Sequence, residues 1–170
     1  MSSVPQPCVV IASTTQAEAA RCLLLTATQT LYAGDMAFNV DNAMAAPDSD
    51  AMAVLLGEVV IGFYRLDYPT AAFAKQAVDR RLVTLRAFAL GAAWQGRGFG
   101  RPVLDACCAD LARRHPERMT LALNVHAANS VAVHVYKRAG FVDSGEIVRG
   151  GRGGPQHLML RALDVGQCAP

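Results

Sequence analysis

Midway along the 170 residues, a strand-like apolar run (82–90) gives way to Trp94-Gln95-Gly96-Arg97-Gly98-Phe99-Gly100-Arg101, and a helical pattern begins at once. Glycine tolerates positive φ and lets backbone N–H groups come close to a ligand. A helix that starts here adds unpaired N–H groups and the positive end of its dipole. Together these make an anion site suited to a pyrophosphate, with Arg97 or Arg101 able to add charge-assisted contacts. Pro102 fits the first helical turn, where its missing donor is least costly. The Gly-Lys-Ser/Thr ending of a phosphate-binding P-loop is absent. Arg101 stands where the third glycine of a dinucleotide fingerprint belongs.

The flanks set the fold class. Residues 101–114 are helical by pattern, with Leu104, Cys107, Cys108 and Leu111 at i, i+3, i+4 and i+7. Upstream, 8–12 reads as a short buried strand. Thr15 reads as a helix start, with Glu18 completing a capping box and Ala20, Leu23, Leu24, Ala27 and Leu31 as the apolar face. Residues 34–50 read as loop with room for one short helix, and 69–80 show no clear pattern. Strands are expected at 52–56 and 59–68, joined at Gly57-Glu58. In 82–90, Val83, Leu85, Ala87 and Ala89 alternate with Thr84, Arg86, Phe88 and Leu90. Downstream come a strand (119–125) and a helix (130–139) with Ala132, Val135, Tyr136 and Ala139 on one face, then Gly140 as its αL residue. Strands at 141–148 and 157–163 close the chain around the loop 149–156, and the tail after Asp164 reads as loose. Strands interspersed with helices imply one α/β domain with a mixed sheet covered by helices.

Gln95-Gly96-Arg97-Gly98-Phe99-Gly100 resembles the Q/R-x-x-G-x-G/A signature of the GNAT (Gcn5-related) acetyltransferases. Leu123-Asn124-Val125, Asn129-Ser130-Val131-Ala132 and Tyr136-Lys137-Arg138-Ala139-Gly140-Phe141 resemble the family's second block, L-x-V…N-x-x-A…Y-x-x-x-G-F. The resemblance covers about 82–163 and implies a single domain over 1–170. Its expected sheet is mixed, mostly antiparallel and six- to seven-stranded, with helices on both faces and a V-shaped split between central strands. It implies acetyl-CoA as the acyl donor, no metal, and acetyl transfer to a primary amine of a small molecule, a polyamine or a peptide. Residues 8–81 would form the acceptor side. Phe88, Ala89 and Leu90 would offer backbone to the pantetheine arm, and 95–101 would hold the pyrophosphate. Asn129 would contact the cofactor, although asparagine there also suits a helix N-cap. Many relatives pair through an exposed strand edge, so a homodimer is a further expectation.

Tyr136 stands where many members keep a tyrosine near the thioester. A phenol with a pKa of about 10 can protonate a departing thiolate. Relatives that acetylate ribosomal-protein N-termini carry Glu at the position of Asn124, and an amide cannot act as that base. Asp35, Asp41, Asp67, Glu146, His126 and His157 remain as proton acceptors, alongside loss to water. A non-catalytic acyl-CoA-binding domain of the same fold is the alternative. Direct transfer in a ternary complex is expected, because the helix pattern of Cys107 and Cys108 buries at least one thiol. Arg149 and Arg152, in a glycine-rich loop, could meet an acidic group on the acceptor.

The net charge of +2 is too small and scattered for a nucleic-acid binder. No eighteen-residue apolar window suggests a membrane span, and the start lacks a signal peptide's pattern. Five cysteines without C-x-x-C spacing read as buried free thiols of a cytoplasmic protein.

Overall fold

The computed structural model describes residues 5–68, 81–149 and 153–164. Seven strands form one sheet: β1 (Cys8–Ile11), β2 (Ser49–Leu56), β3 (Val59–Asp67), β4 (Leu82–Leu90), β5 (Thr120–His126), β6 (Val142–Val148) and β7 (Gln156–Ala162). Their spatial order is β1-β2-β3-β4-β5-β7-β6. Every neighbouring pair is antiparallel except β4 with β5. One face carries α1 (Thr14–Arg21), α2 (Ala27–Ala33) and α3 (Met36–Ala45), the other α4 (Gly100–Arg114) and α5 (Ser130–Arg138). The two cores are therefore separate layers. Phe63, Met36 and Val40 belong to the first, and Leu104, Leu121, Leu123 and Met159 to the second.

The N-terminal third departs from the sequence expectation. The capping box of α1 uses Ser13 and Gln16, not Thr15 and Glu18. A second box, Thr26 with Gln29, starts a new helix, so 14–33 is two helices rather than one. Leu24 and Leu31, expected on the buried face, are exposed. Residues 36–45, expected as loop, form α3, capped by Asp35 and buried through Met36, Val40 and Ala43. β1 is a half-exposed edge strand, not a buried one. Cys8 and Cys22 are exposed, whereas Cys107 and Cys108 are both buried; all four are free thiols. The hairpin at Gly57 is as expected, with φ +63. The connection 69–80, Arg152 and Cys168 lie outside the described residues.

Two features of β4 shape the sheet around it. It pairs with β5 through three rungs only, Leu82↔Thr120, Val83↔Leu121 and Thr84↔Ala122, and the strands then part. Against β3 it carries a bulge: Phe63↔Ala89 and Arg65↔Arg86 leave Tyr64 facing both Ala87 and Phe88. Ala87 has φ +53, a left-handed conformation rare for a residue with a Cβ. The bulge reverses the alternation. Val83 and Leu85 share a core with Phe88 and Leu90, whereas Ala87 and Ala89 join the opposite core. The simple alternation expected for 82–90 therefore fails at Ala87.

Candidate functional site

A cavity of about 810 Å³ opens where β4 and β5 separate. Phe88, Ala89 and Leu90 line it from β4 and Asn124 and His126 from β5. Gln95, Gly96, Gly98, Phe99 and Gly100 close one end, and Asn129 and Tyr136 border it from the α5 side. Arg97 and Arg101 do not line it. The Arg97 guanidinium lies 5.2 Å from the Trp94 ring centre, and Arg101 pairs with Asp105 one turn on, at 3.5 Å.

The loop is shaped for backbone presentation. A 3-10 turn (Ala92–Trp94) leads into it, and Gly96 and Gly98 have φ +68 and +81. No atom lies within 4 Å of where a Cβ would stand on either, so their need for glycine is conformational. Gly100 is different: a Cβ there would meet Val135 Cγ1 at 2.9 Å, so this glycine lets α4 approach α5. Gln95 Nε2 donates to the Leu90 carbonyl at 3.0 Å, and Gln29 Nε2 donates to the same oxygen at 2.8 Å. These amides tie the loop and α2 to the end of β4 and occupy that carbonyl. Among the α-helices described, α1, α2, α3 and α5 begin with a side-chain cap, and α4 begins without one. Its first N–H groups remain for another acceptor.

Tyr136 is buried, with Phe141 at 5.6 Å and Phe88 at 6.2 Å between ring centres. Burial pushes its phenol above the usual range, so it stays protonated at neutral pH. The Asn129 side chain accepts from Ala132 N–H at 3.3 Å, the N-cap of α5. It lines the cavity as well, so its two readings coexist. Burial also raises the thiols of Cys107 and Cys108, the latter to about 11, which leaves neither as a ready nucleophile.

The proton-acceptor candidates separate cleanly. Asp35 caps α3, Asp41 pairs with Arg21 at 2.6 Å, Glu146 lies on exposed β6, and His157 pairs with Asp143 at 3.1 Å. None of these four lines the cavity. Asp67 and His126 do. Burial would raise the Asp67 carboxyl, but hydrogen bonds from Ser49, Arg65 and Arg86 outweigh it and hold the group below its usual value. His126 stacks on Tyr32 of α2 at 5.1 Å between ring centres. Its Nε2 lies 3.5 Å from Gln156 Nε2, and its buried Nδ1 has no hydrogen-bond partner among the described residues.

The cavity lining also holds residues that sequence reasoning missed: Gln29 and Tyr32 of α2, Asn39 of α3, Arg86 of β4 and Gln156 of β7. They come from four elements, two of them misread in sequence, and no local spacing links them.

Comparison with known proteins agrees with this geometry. The acetyltransferase (GNAT) family pattern matches residues 18–141. The aminoglycoside acetyltransferase AAC(6')-Ib, solved with paromomycin and acetyl-CoA, superposes with a TM-score of 0.74 at 16% identity, over 92% of this chain and 93% of that one. Spermidine N-acetyltransferase from Vibrio cholerae, solved with CoA and spermine, gives 0.69 at 18% identity, over 93% and 96%. The ribosomal-protein-S18-alanine N-acetyltransferase from Escherichia coli gives 0.67 at 19%, over 97% and 99%. No curated protein sequence matches the chain. The family pattern takes in both the glycine loop and the block ending at Phe141, more than half of the chain, and on that match the chain belongs to the acetyltransferase (GNAT) family.

Proposed function

We propose that this chain is an acetyl-CoA-dependent N-acetyltransferase that passes the acetyl group directly to a primary amine within a ternary complex. The observation that carries the reading is the parting of β4 from β5 beside an uncapped helix start. A strand edge without a partner can take up the amides of a pantetheine arm as an added strand. The amides of 96–101 and the dipole of α4 suit the two linked phosphates at the other end of such a molecule. Arg97 and Arg101, at the margin of the loop, add long-range positive charge rather than lining contacts.

Acetyl-CoA supplies a thioester whose acyl carbon is open to attack by an amine. The bulge at Ala87 and Phe88 leaves a backbone position without a β3 partner, where an N–H can stabilise negative charge on the acyl oxygen. Tyr136 gives its phenol proton to the departing sulfur and recovers one, through water, from the ammonium formed when the amine attacks, so that the proton the amine loses ends on the thiol. Asn124 lines the acceptor side as a hydrogen-bonding amide, not as a base. α2 and α3 supply the acceptor wall. The solved relatives were crystallised with amine compounds such as spermine and paromomycin, in keeping with an amine acceptor here. A cytoplasmic location belongs to the same proposal, since the exposed free thiols of Cys8 and Cys22 suit a reducing compartment. No described helix is long and apolar enough to cross a membrane.

The test combines calorimetric titration with acetyl-CoA and detection of free thiol against amino acids, polyamines, aminoglycosides and N-terminal peptides. Binding with amine-dependent thiol release is the expected result. Binding without release from any amine would indicate a non-catalytic acyl-CoA-binding domain of the same fold. Absence of binding would overturn the reading.

A further inference from the structure

We propose that the acceptor is an amine that itself carries an acidic group, and that Arg86 binds that group. The proposal rests on the transferase reading and specifies its acceptor.

Arg86 sits immediately before the β4 bulge and lines the cavity. Its register partner Arg65 and the next but one residue, Asp67, share its side of the sheet. Arg65 is buried and fully engaged. Its Nε donates to Asp67 at 2.8 Å, one terminal nitrogen to Asn42, and the other to Ser49 at 2.8 Å. Asp67 also accepts from Ser49 and from Arg86 Nη1 at 3.0 Å. Two guanidinium groups thus face one carboxylate, and one positive charge is left over. Arg86 is where that charge is accessible, because its side chain is 61% exposed and, among the described residues, its one hydrogen-bond partner is Asp67, through one nitrogen.

The rest of the lining does not offset this charge. Among the described lining residues, Asp67 and Arg86 are the only Asp, Glu, Lys or Arg. The other polar side chains of the lining include the amides of Asn39, Asn124 and Gln156, the Tyr32 phenol and the His126 imidazole. A polyamine or aminoglycoside would bring several positive charges to a wall with a positive surplus and a single, already shared carboxylate. A carboxylate fits the open edge of the Arg86 fork, with two parallel N–H donors.

The experiment is steady-state thiol release at saturating acetyl-CoA, comparing aspartate and glutamate with their neutral amides and with putrescine and spermidine. The acidic amines should show the highest kcat/KM, with an advantage that shrinks as salt rises. Arg86→Gln should raise KM for acidic acceptors about 30-fold more than KM for neutral amides, the weight of one charged hydrogen-bonded pair. Asp67→Asn, which removes the competing carboxylate, should lower KM for acidic acceptors. If neither variant folds, the salt dependence of the wild-type ranking decides. Spermidine turned over as well as aspartate or better, or a ranking indifferent to salt, overturns this inference and leaves the transferase reading standing. No acetyl-CoA binding at all overturns both.

Discussion

The loop 95–100 and the wall facing α2 and α3 border one cavity but are built from different material. The loop offers backbone amides, shaped by two positive-φ glycines and an uncapped helix start. The other lining offers side chains from α2, α3, β4, β5 and β7, held by a shared charge cluster and an aromatic stack. A backbone site is tuned to a ligand common to a whole family, because most substitutions leave the amides in place. A side-chain site changes with every substitution. Under the proposed function, the difference separates a donor end that substitution leaves largely intact from an acceptor end that substitution readily remakes.

Tyr136 lines the cavity from α5, and its loss should have the largest effect. Tyr136→Phe removes one oxygen and leaves the ring against Phe88 and Phe141. The turnover number should fall about 100-fold, the lower range for loss of a positioned proton donor, with an unchanged Kd for acetyl-CoA. Unchanged turnover would move proton delivery elsewhere and separate Tyr136 from the chemistry. Next is Gly98→Val. There is space for the side chain, so the protein should fold, but φ +81 is unsuited to a branched residue. The amides would turn away, and the Kd for acetyl-CoA should rise about 30-fold, equivalent to one charged hydrogen bond. Calorimetry on the folded variant measures it, and an unchanged Kd would mean the loop is only a connector.

A smaller effect is expected at Ala87. Ala87→Val places a branched side chain at φ +53 and should lower stability by about 1–2 kcal/mol. Thermal melting should then fall by about 2–4 °C per kcal/mol for a chain of this size. A variant as stable as the wild type would show that the bulge relaxes at no cost.

The same division explains what the sequence discloses. The glycine loop is legible because only glycine takes positive φ freely, so the residue type announces the conformation. The bulge is silent: Ala87 is chemically unremarkable, and period-2 alternation carries straight through it until the partner strand is known. Cap chemistry at α1 is ambiguous, because Ser13-Gln16 and Thr15-Glu18 both satisfy the box and only packing selects the first. The α3 helix did leave a signal, in Asp35 followed by Met36, Val40 and Ala43 at i, i+4 and i+7, but small and polar residues between them mask it. Arg86 has no signal of its own. Its meaning comes from Arg65, Asp67 and Ser49, which long-range register brings together, and from Asn42 of α3, which accepts from Arg65.

Asn129 gives the smallest and sharpest test of the division, because it belongs to both kinds of site. Its side chain caps α5 and also lines the cavity. Asn129→Ala removes the cap and should cost about 1 kcal/mol of stability. Asn129→Ser restores a capping oxygen but shortens the reach into the cavity, so denaturant midpoints should return close to the wild type. If Asn129 also touches the acetyl donor, both variants should raise its Kd by a similar, roughly fivefold factor, the weight of one neutral hydrogen bond. Stability and affinity would then respond to different substitutions at one position. Should Ser restore the Kd together with the stability, the residue acts on the donor only by fixing where α5 begins, and the backbone end of the cavity needs no side-chain amide at all.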